Sequence, residues 1–265
     1  MRLYAKNLTL KIGNSELDYA HFGKGDKTLI MLPGLTLKGV KGSALILAYM
    51  YRIFAKDYTV YVFDKKANIP DGYTIRELSN DVALAMEMLN IQNADVFGTS
   101  QGGMIAQYLA IDHPHLVHKL VLGVTASRKN EVMENVINRW IDMTDKNDFK
   151  ALVIDVFEKM YSESYIKKYK WLFPLLAVLG KPKDPSRFIN LAKACLTCNA
   201  YPELHKISCP VFVIGGNQDK IVTGQASDEI ADKLKCEIYM YDDLGHAAYE
   251  EATDYNDRIY RFLKV

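Results

Sequence analysis

The residues of this 265-residue chain best suited to covalent chemistry are a serine, an aspartate and a histidine, far apart in sequence. Ser100 sits in Gly98-Thr99-Ser100-Gln101-Gly102-Gly103, after a short apolar run at 94–97 and before a helical pattern. The apolar face of that pattern is Met104, Ile105, Tyr108, Leu109 and Ile111, so the stretch predicts strand, very tight turn and helix, with the serine at the apex. Such a turn strains its apex residue and crowds the positions two residues to either side. Side chains at Gly98 and Gly102 would collide there, so glycine fits, and Gly103 is expected to let the helix pack closely beside its strand. The strain leaves the Ser100 hydroxyl exposed near the positive end of a helix, where a developing oxyanion is stabilised.

A serine hydroxyl is a poor nucleophile near neutral pH until a base removes its proton. The base is normally a histidine, held in one tautomer by a buried carboxylate. In an open α/β sheet both partners belong on loops at the carboxyl edge, where ligands bind. Two positions meet that demand. Asp219 follows the apolar run 211–215 in Gly216-Asn217-Gln218-Asp219, and His246 follows the run 238–241 in Asp242-Asp243-Leu244-Gly245-His246. His21 and His205 follow no central strand, Asp242 and Asp243 read as solvated turn residues, and Asp64 reads as structural. An oxyanion also needs donors. The loop Pro33-Gly34-Leu35 closes the apolar run 28–32, and the Leu35 and Gln101 amides are the candidates.

The elements that must position these residues follow from periodicity. Residues 8–12 and 15–22 alternate as two strands around a Gly13-Asn14 turn. Runs 28–32, 59–63, 119–124, 210–215 and 237–241 are short and apolar, as expected of strands covered on both faces. Helical patterns occupy 43–54, 74–89, 225–234 and 249–263, and Thr74 before Glu77 has the spacing of a capping box. From about 127 to 200 the rhythm changes to helices alone, at 132–143, 149–161, 164–179 and 186–197. The reading is an α/β fold, a mostly parallel central sheet flanked by helices, with a core of 1–126 and 201–265 and an inserted helical cap at 127–200. The apolar stretch 171–179 either packs on the core or also lines a pocket.

These features carry a family resemblance. The chain is similar to the α/β-hydrolase fold family over essentially its whole length: Gly98-Thr99-Ser100-Gln101-Gly102-Gly103, Gly216-Asn217-Gln218-Asp219 followed by Ile221-Val222, and the late Gly245-His246. The resemblance implies Ser100 as nucleophile, His246 as general base and acid, Asp219 as orienting acid, and the helical insertion as a cap over the substrate pocket. Two departures stand out. Pro33-Gly34 replaces the His-Gly of many members, and Asp64-Lys65-Lys66-Ala67-Asn68-Ile69-Pro70 stands where the family usually has Asp-x-Arg-Gly-x-Gly-x-Ser. A serine rather than an aspartate at the apex argues against haloalkane dehalogenase or epoxide hydrolase chemistry.

Composition bounds the rest. Lys and Arg number 33 against 32 Asp and Glu, which gives no support to nucleic-acid binding. The N-terminus lacks the apolar core of a signal peptide, and no run reaches transmembrane length, so a cytoplasmic protein without a membrane partner is expected. Cys195-x-x-Cys198 lacks a second ligand pair, so its cysteines read as small buried hydrophobes; His113, His115 and His118 read as surface or capping residues. No residue calls for a cofactor or metal. The expected function is a serine hydrolase cleaving a carboxylester, thioester or lactone of a small to medium apolar acyl substrate through an acyl-enzyme. A ligand-binding protein of the same fold, or a cofactor-free carbon–carbon hydrolase, lyase or perhydrolase, remains open.

Overall fold

Eight strands form one sheet in the order β1-β2-β4-β3-β5-β6-β7-β8. The structure, a computed structural model, describes residues 4–173, 175, 181–182 and 184–265. Strands β1 (Ala5–Ile12), β2 (Ser15–Gly23) and β4 (Tyr58–Phe63) pair antiparallel, β1 with β2 and β2 with β4. From β4 onward, through β3 (Lys27–Leu32), β5 (Ala94–Thr99), β6 (Val117–Gly123), β7 (Val211–Gly216) and β8 (Glu237–Tyr241), every pairing is parallel.

The parallel strands read as continuous apolar runs because both faces are covered. Alternate side chains go to opposite faces. Ile30, Leu32, Val96, Leu120, Leu122 and Val213 join one core, with α2 (Ile75–Met88), α3 (Gln101–Asp112) and α8 (Gly224–Leu234). Leu29, Met31, Val60, Val62, Phe97, Val121, Phe212 and Ile214 join the other, with α1 (Ala44–Met50) and α10 (Tyr255–Lys264). The capping box at Thr74 forms with Glu77 as its sequence predicts.

Between β6 and β7 the chain runs through α4 (Glu131–Asp145), α5 (Phe149–Met160), α6 (Glu163–Tyr169) and α7 (Pro185–Cys195), with no strand among the described residues. A single antiparallel bridge, Arg128 to Asn199, joins its entry to its exit. Several boundaries differ from expectation. The first helix is shorter, giving way at Tyr51 to a 3-10 turn at Phe54–Lys56. The closing helix is two, α9 (Ala248–Glu251) and α10, broken at Ala252-Thr253-Asp254, where Asp254 bonds the Tyr241 hydroxyl and Arg258. The helix expected over 164–179 is α6 and a 3-10 turn at Lys170–Leu172; residues 174 and 176–180 lie outside the described residues. No described helix is long and apolar enough to cross a membrane.

Register places the chemistry. Leu32 pairs with Gly98 and Thr99 with Gly123, so the loop after β3 and the turn after β5 leave the sheet side by side. The turn is tight enough to require its glycines. A Cβ on Gly98 would stand 2.4 Å from the Gly102 carbonyl oxygen, and one on Gly102 would stand 1.8 Å from that of Leu32. The collision at Gly102 is therefore with the neighbouring strand's backbone. Gly103 packs beside its own strand, since a Cβ on Gly98 would stand 2.7 Å from the Gly103 Cα, and it also makes room for the Thr125 side chain beyond β6. Gly102→Ala is expected to cost upward of ~3 kcal/mol through overpacking, lowering the thermal midpoint by roughly 6–12 °C. An unchanged midpoint would mean the turn has room that this contact denies.

Candidate active site

Ser100 stands at the apex between β5 and α3 with φ 54° and ψ −121°, a region L-residues rarely occupy. Four hydrogen bonds hold its backbone there. Its N–H donates to the Gly123 carbonyl at 2.9 Å; its own carbonyl accepts from Gly103 and Met104 N–H and from the Thr125 hydroxyl, the last at 2.7 Å.

His246 comes from the loop after β8 and Asp219 from the loop after β7. The two loops are knit together: Asn217 N–H donates to Tyr241 O at 2.9 Å and Gln218 N–H to Leu244 O at 3.0 Å. The imidazole Nδ1 lies 2.7 Å from Asp219 Oδ2, and Nε2 lies 2.9 Å from Ser100 Oγ. A carboxylate accepts only, so Nδ1 carries the proton and donates, which leaves Nε2 as the acceptor of the serine hydroxyl. The second oxygen of Asp219 accepts from Ile221 and Val222 N–H at 2.8 and 3.0 Å, so both oxygens of the buried carboxylate are bonded. Hydroxyl, imidazole and carboxylate in this order can move a proton off the serine and return it to a leaving group.

The structure thus brings together all three side chains singled out in the sequence. Gly34 and Leu35 share a cavity with Ser100, and a Cβ on Gly34 would stand 3.1 Å from that of Ser100. Gln101 opens α3, and neither its amide nor that of Leu35 has an acceptor among the described residues.

A cavity of about 440 Å³ opens from Ser100 and His246. Its walls are mainly apolar: Met104 below, and Met133, Ile137, Trp140, Val153 and Phe157 from α4 and α5. Of the stretch 171–179, residues 174 and 176–179 lie outside the described residues. Phe173 is buried with its ring 5.2 Å from that of Phe157, Trp171 and Leu175 are exposed, and none of its described residues lines the cavity.

Sequence reasoning missed several polar residues here. Glu250 faces the cavity and accepts from the Tyr161 hydroxyl; the protein packed round it raises its carboxyl above the ordinary range, and that hydrogen bond opposes the rise. The Gln101 side chain donates to Leu191 O at 2.6 Å, tying the serine turn to α7. Lys65 lies buried behind the loop after β3. Cys195 also reaches the cavity, but burial pushes its thiol up to about 12, so it holds no thiolate to compete with Ser100. Cys198 is equally buried and free. Of the clustered histidines, His118 bonds Asp95 at 2.7 Å and His113 bonds Asn80 at 3.0 Å. No metal-binding group of three or more such side chains occurs among the described residues.

A family model described as alpha/beta hydrolase fold matches residues 27–253. 3-Oxoadipate enol-lactonase 2 of Acinetobacter baylyi is 24% identical over 224 residues, covering 81% of this chain and 80% of that protein. Among solved structures, an alpha/beta hydrolase enzyme from a Medee basin deep-sea metagenome library superposes with a TM-score of 0.86 at 18% identity, over 97% of this chain and 98% of the other. The enol-lactonase from Burkholderia xenovorans superposes at 0.84 with 22% identity, over 97% and 100%.

Replacing Asp219 tests the proton path. Asp219→Asn keeps the shape but favours the wrong imidazole tautomer, and is expected to slow acylation of Ser100 by an ester about 10⁴-fold. Stopped-flow release of an activated alcohol measures it, and an undiminished rate would require another acid.

Proposed function

The chain belongs to the alpha/beta hydrolase fold family as a hydrolase of that fold, and on that premise we propose that it is a serine hydrolase cleaving an ester-type bond through an acyl-enzyme. The observation that carries this reading is the unbroken row from Asp219 through His246 to Ser100, opening into an apolar cavity. Ser100 Oγ attacks the substrate carbonyl while His246 Nε2 takes its proton. The carbonyl π pair becomes the charge on a tetrahedral oxyanion, which the Leu35 and Gln101 amides would hold. Collapse expels the alcohol, thiol or ring oxygen, which takes the proton back from His246. Water, deprotonated by the same nitrogen, then attacks the acyl-serine, and the acid leaves as His246 returns that proton to Ser100 Oγ. Asp219 keeps Nδ1 protonated and steadies the imidazolium in both halves.

The cavity supports the substrate class. Its apolar walls suit a small to medium acyl chain, and its volume lies within the range usual for small-molecule sites. Carboxylester, thioester and lactone all fit this machinery, and the resemblance to a protein named as a lactonase supports a lactone among them.

Labelling with a fluorophosphonate, read by intact mass, tests the nucleophile. One adduct is expected on wild type and none on Ser100→Ala or His246→Ala; ester turnover in either variant should fall about 10⁶-fold in kcat. No adduct on folded wild type would favour a ligand-binding role for the same cavity. A series of p-nitrophenyl esters tests the pocket. kcat/KM should rise by up to about fourfold per added methylene until the cavity is full, and an acyl chain ending in a carboxylate should gain nothing. A flat profile would place the acyl group elsewhere.

A further inference from the structure

The loop 33–40 carries the Leu35 amide, and two residues directly after β4 hold that loop at both ends. At the far end Asp64 Oδ2 accepts from Val40 N–H at 3.0 Å, while Oδ1 accepts from Lys65 N–H and pairs with Arg187 at 3.2 Å. At the near end the Lys65 ammonium donates to the carbonyls of Pro33 and Gly34, at 2.6 Å each. Lys65 is only 6% exposed. A buried ammonium is unfavourable unless it is bonded, and burial lowers this one to about 8, with Asp64 opposing the fall and Arg187 adding to it. Cys195 is the remaining titratable neighbour.

Geometry then says what the two bonds do. The Gly34 carbonyl and the Leu35 N–H belong to one peptide unit, which is trans, so they point in opposite directions. With the carbonyl turned back to the ammonium, the N–H faces the other way, toward the cavity that Gly34, Leu35 and Ser100 share. Glycine on one side of that peptide would otherwise let the unit rotate. We propose that Lys65 is a positioning residue for the oxyanion site: by holding two carbonyls behind the loop, it turns the Leu35 N–H toward Ser100. The proposal rests on the acyl-enzyme reading and gives a role to the sequence that replaces the family's Asp-x-Arg-Gly loop.

Lys65→Met, Lys65→Gln and Lys65→Arg in the full chain test it, with a p-nitrophenyl ester, an alkylboronic acid and the free alkanoic acid as probes. The boronate forms a tetrahedral adduct on Ser100 and needs the oxyanion donors; the free acid binds without one. Lys65→Met is expected to lose about 10–100-fold in kcat and as much in boronate affinity, with KM and alkanoate affinity held within about twofold. Lys65→Arg, which can still bridge two carbonyls, should recover part of both losses. If Lys65→Met does not fold, Lys65→Gln carries the same expectation, since its shorter neutral amide fits the space and cannot hold both carbonyls. Variants that fold, by near-ultraviolet circular dichroism and thermal midpoint, and keep wild-type kcat and boronate affinity would overturn the role of Lys65 alone. A wild type that neither hydrolyses the ester nor takes a fluorophosphonate would overturn the acyl-enzyme reading beneath it.

Discussion

The strained backbone at Ser100 is the constraint on which the rest of the site depends. Holding a non-glycine residue at φ 54° and ψ −121° costs about 1–3 kcal/mol. The four hydrogen bonds to its N–H and carbonyl, at about 1 kcal/mol each, are enough to offset that cost. Each comes from an element fixed for another reason: Gly123 by its place on β6, Thr125 by the start of the following segment, and Gly103 and Met104 by α3. The strain thus survives because the sheet and helix around it are already packed. What it achieves is local. The hydroxyl leaves the sheet edge between the two peptide N–H groups proposed to receive an oxyanion.

The partners obey a second constraint, the cost of burying charge. Asp219 and His246 are nearly inaccessible, so each of their polar atoms needs a partner inside the protein. One carboxylate oxygen takes two loop amides and the other takes the imidazole, which decides the tautomer before any substrate arrives. The same rule governs the far side of the loop after β3. Lys65 is tolerated there because two carbonyls accept from it. On the role proposed for it, a residue buried at a cost would fix its surroundings as firmly as it is fixed by them.

This explains what was legible in the sequence and what was not. The parallel strands and their carboxyl edge were readable because covered strands need unbroken apolar runs, as in 28–32 and 211–215. Ser100, Asp219 and His246 were readable because each follows such a run and because the glycines around Ser100 answer to steric demands of short range. That Gly103 also admits the Thr125 side chain from beyond β6 is a contact no local pattern foretells. Lys65, Glu250 and the Gln101 side chain escaped for the same reason. Their partners at Pro33, Tyr161 and Leu191 are distant in sequence, and only the fold brings them together. The break at 252–254 was hidden because Tyr249, Ala252, Tyr255 and Ile259 keep helical spacing across it, while Asp254 accepts from the Tyr241 hydroxyl and Arg258.

One coupling follows from where the helical segment between β6 and β7 is fastened. Its corner at Met160-Tyr161-Ser162 meets the turn just after His246 at three points. Ala247 N–H donates to Met160 O at 2.8 Å, the Tyr161 hydroxyl bonds Glu250, and Ser162 bonds Glu251 through both hydroxyl and amide. Met160, Tyr161 and Glu250 also line the cavity. The wall that meets a substrate chain and the turn that presents the imidazole are therefore one bonded unit. A side chain that pushes on this wall pushes on the histidine's own support, because interiors this closely packed pass a displacement on to the next bonded group. On the proposed reading, acyl fit and proton transfer would share a structural cause here, whereas on the α7 side the Gln101–Leu191 bond ties the helical segment to the serine turn instead.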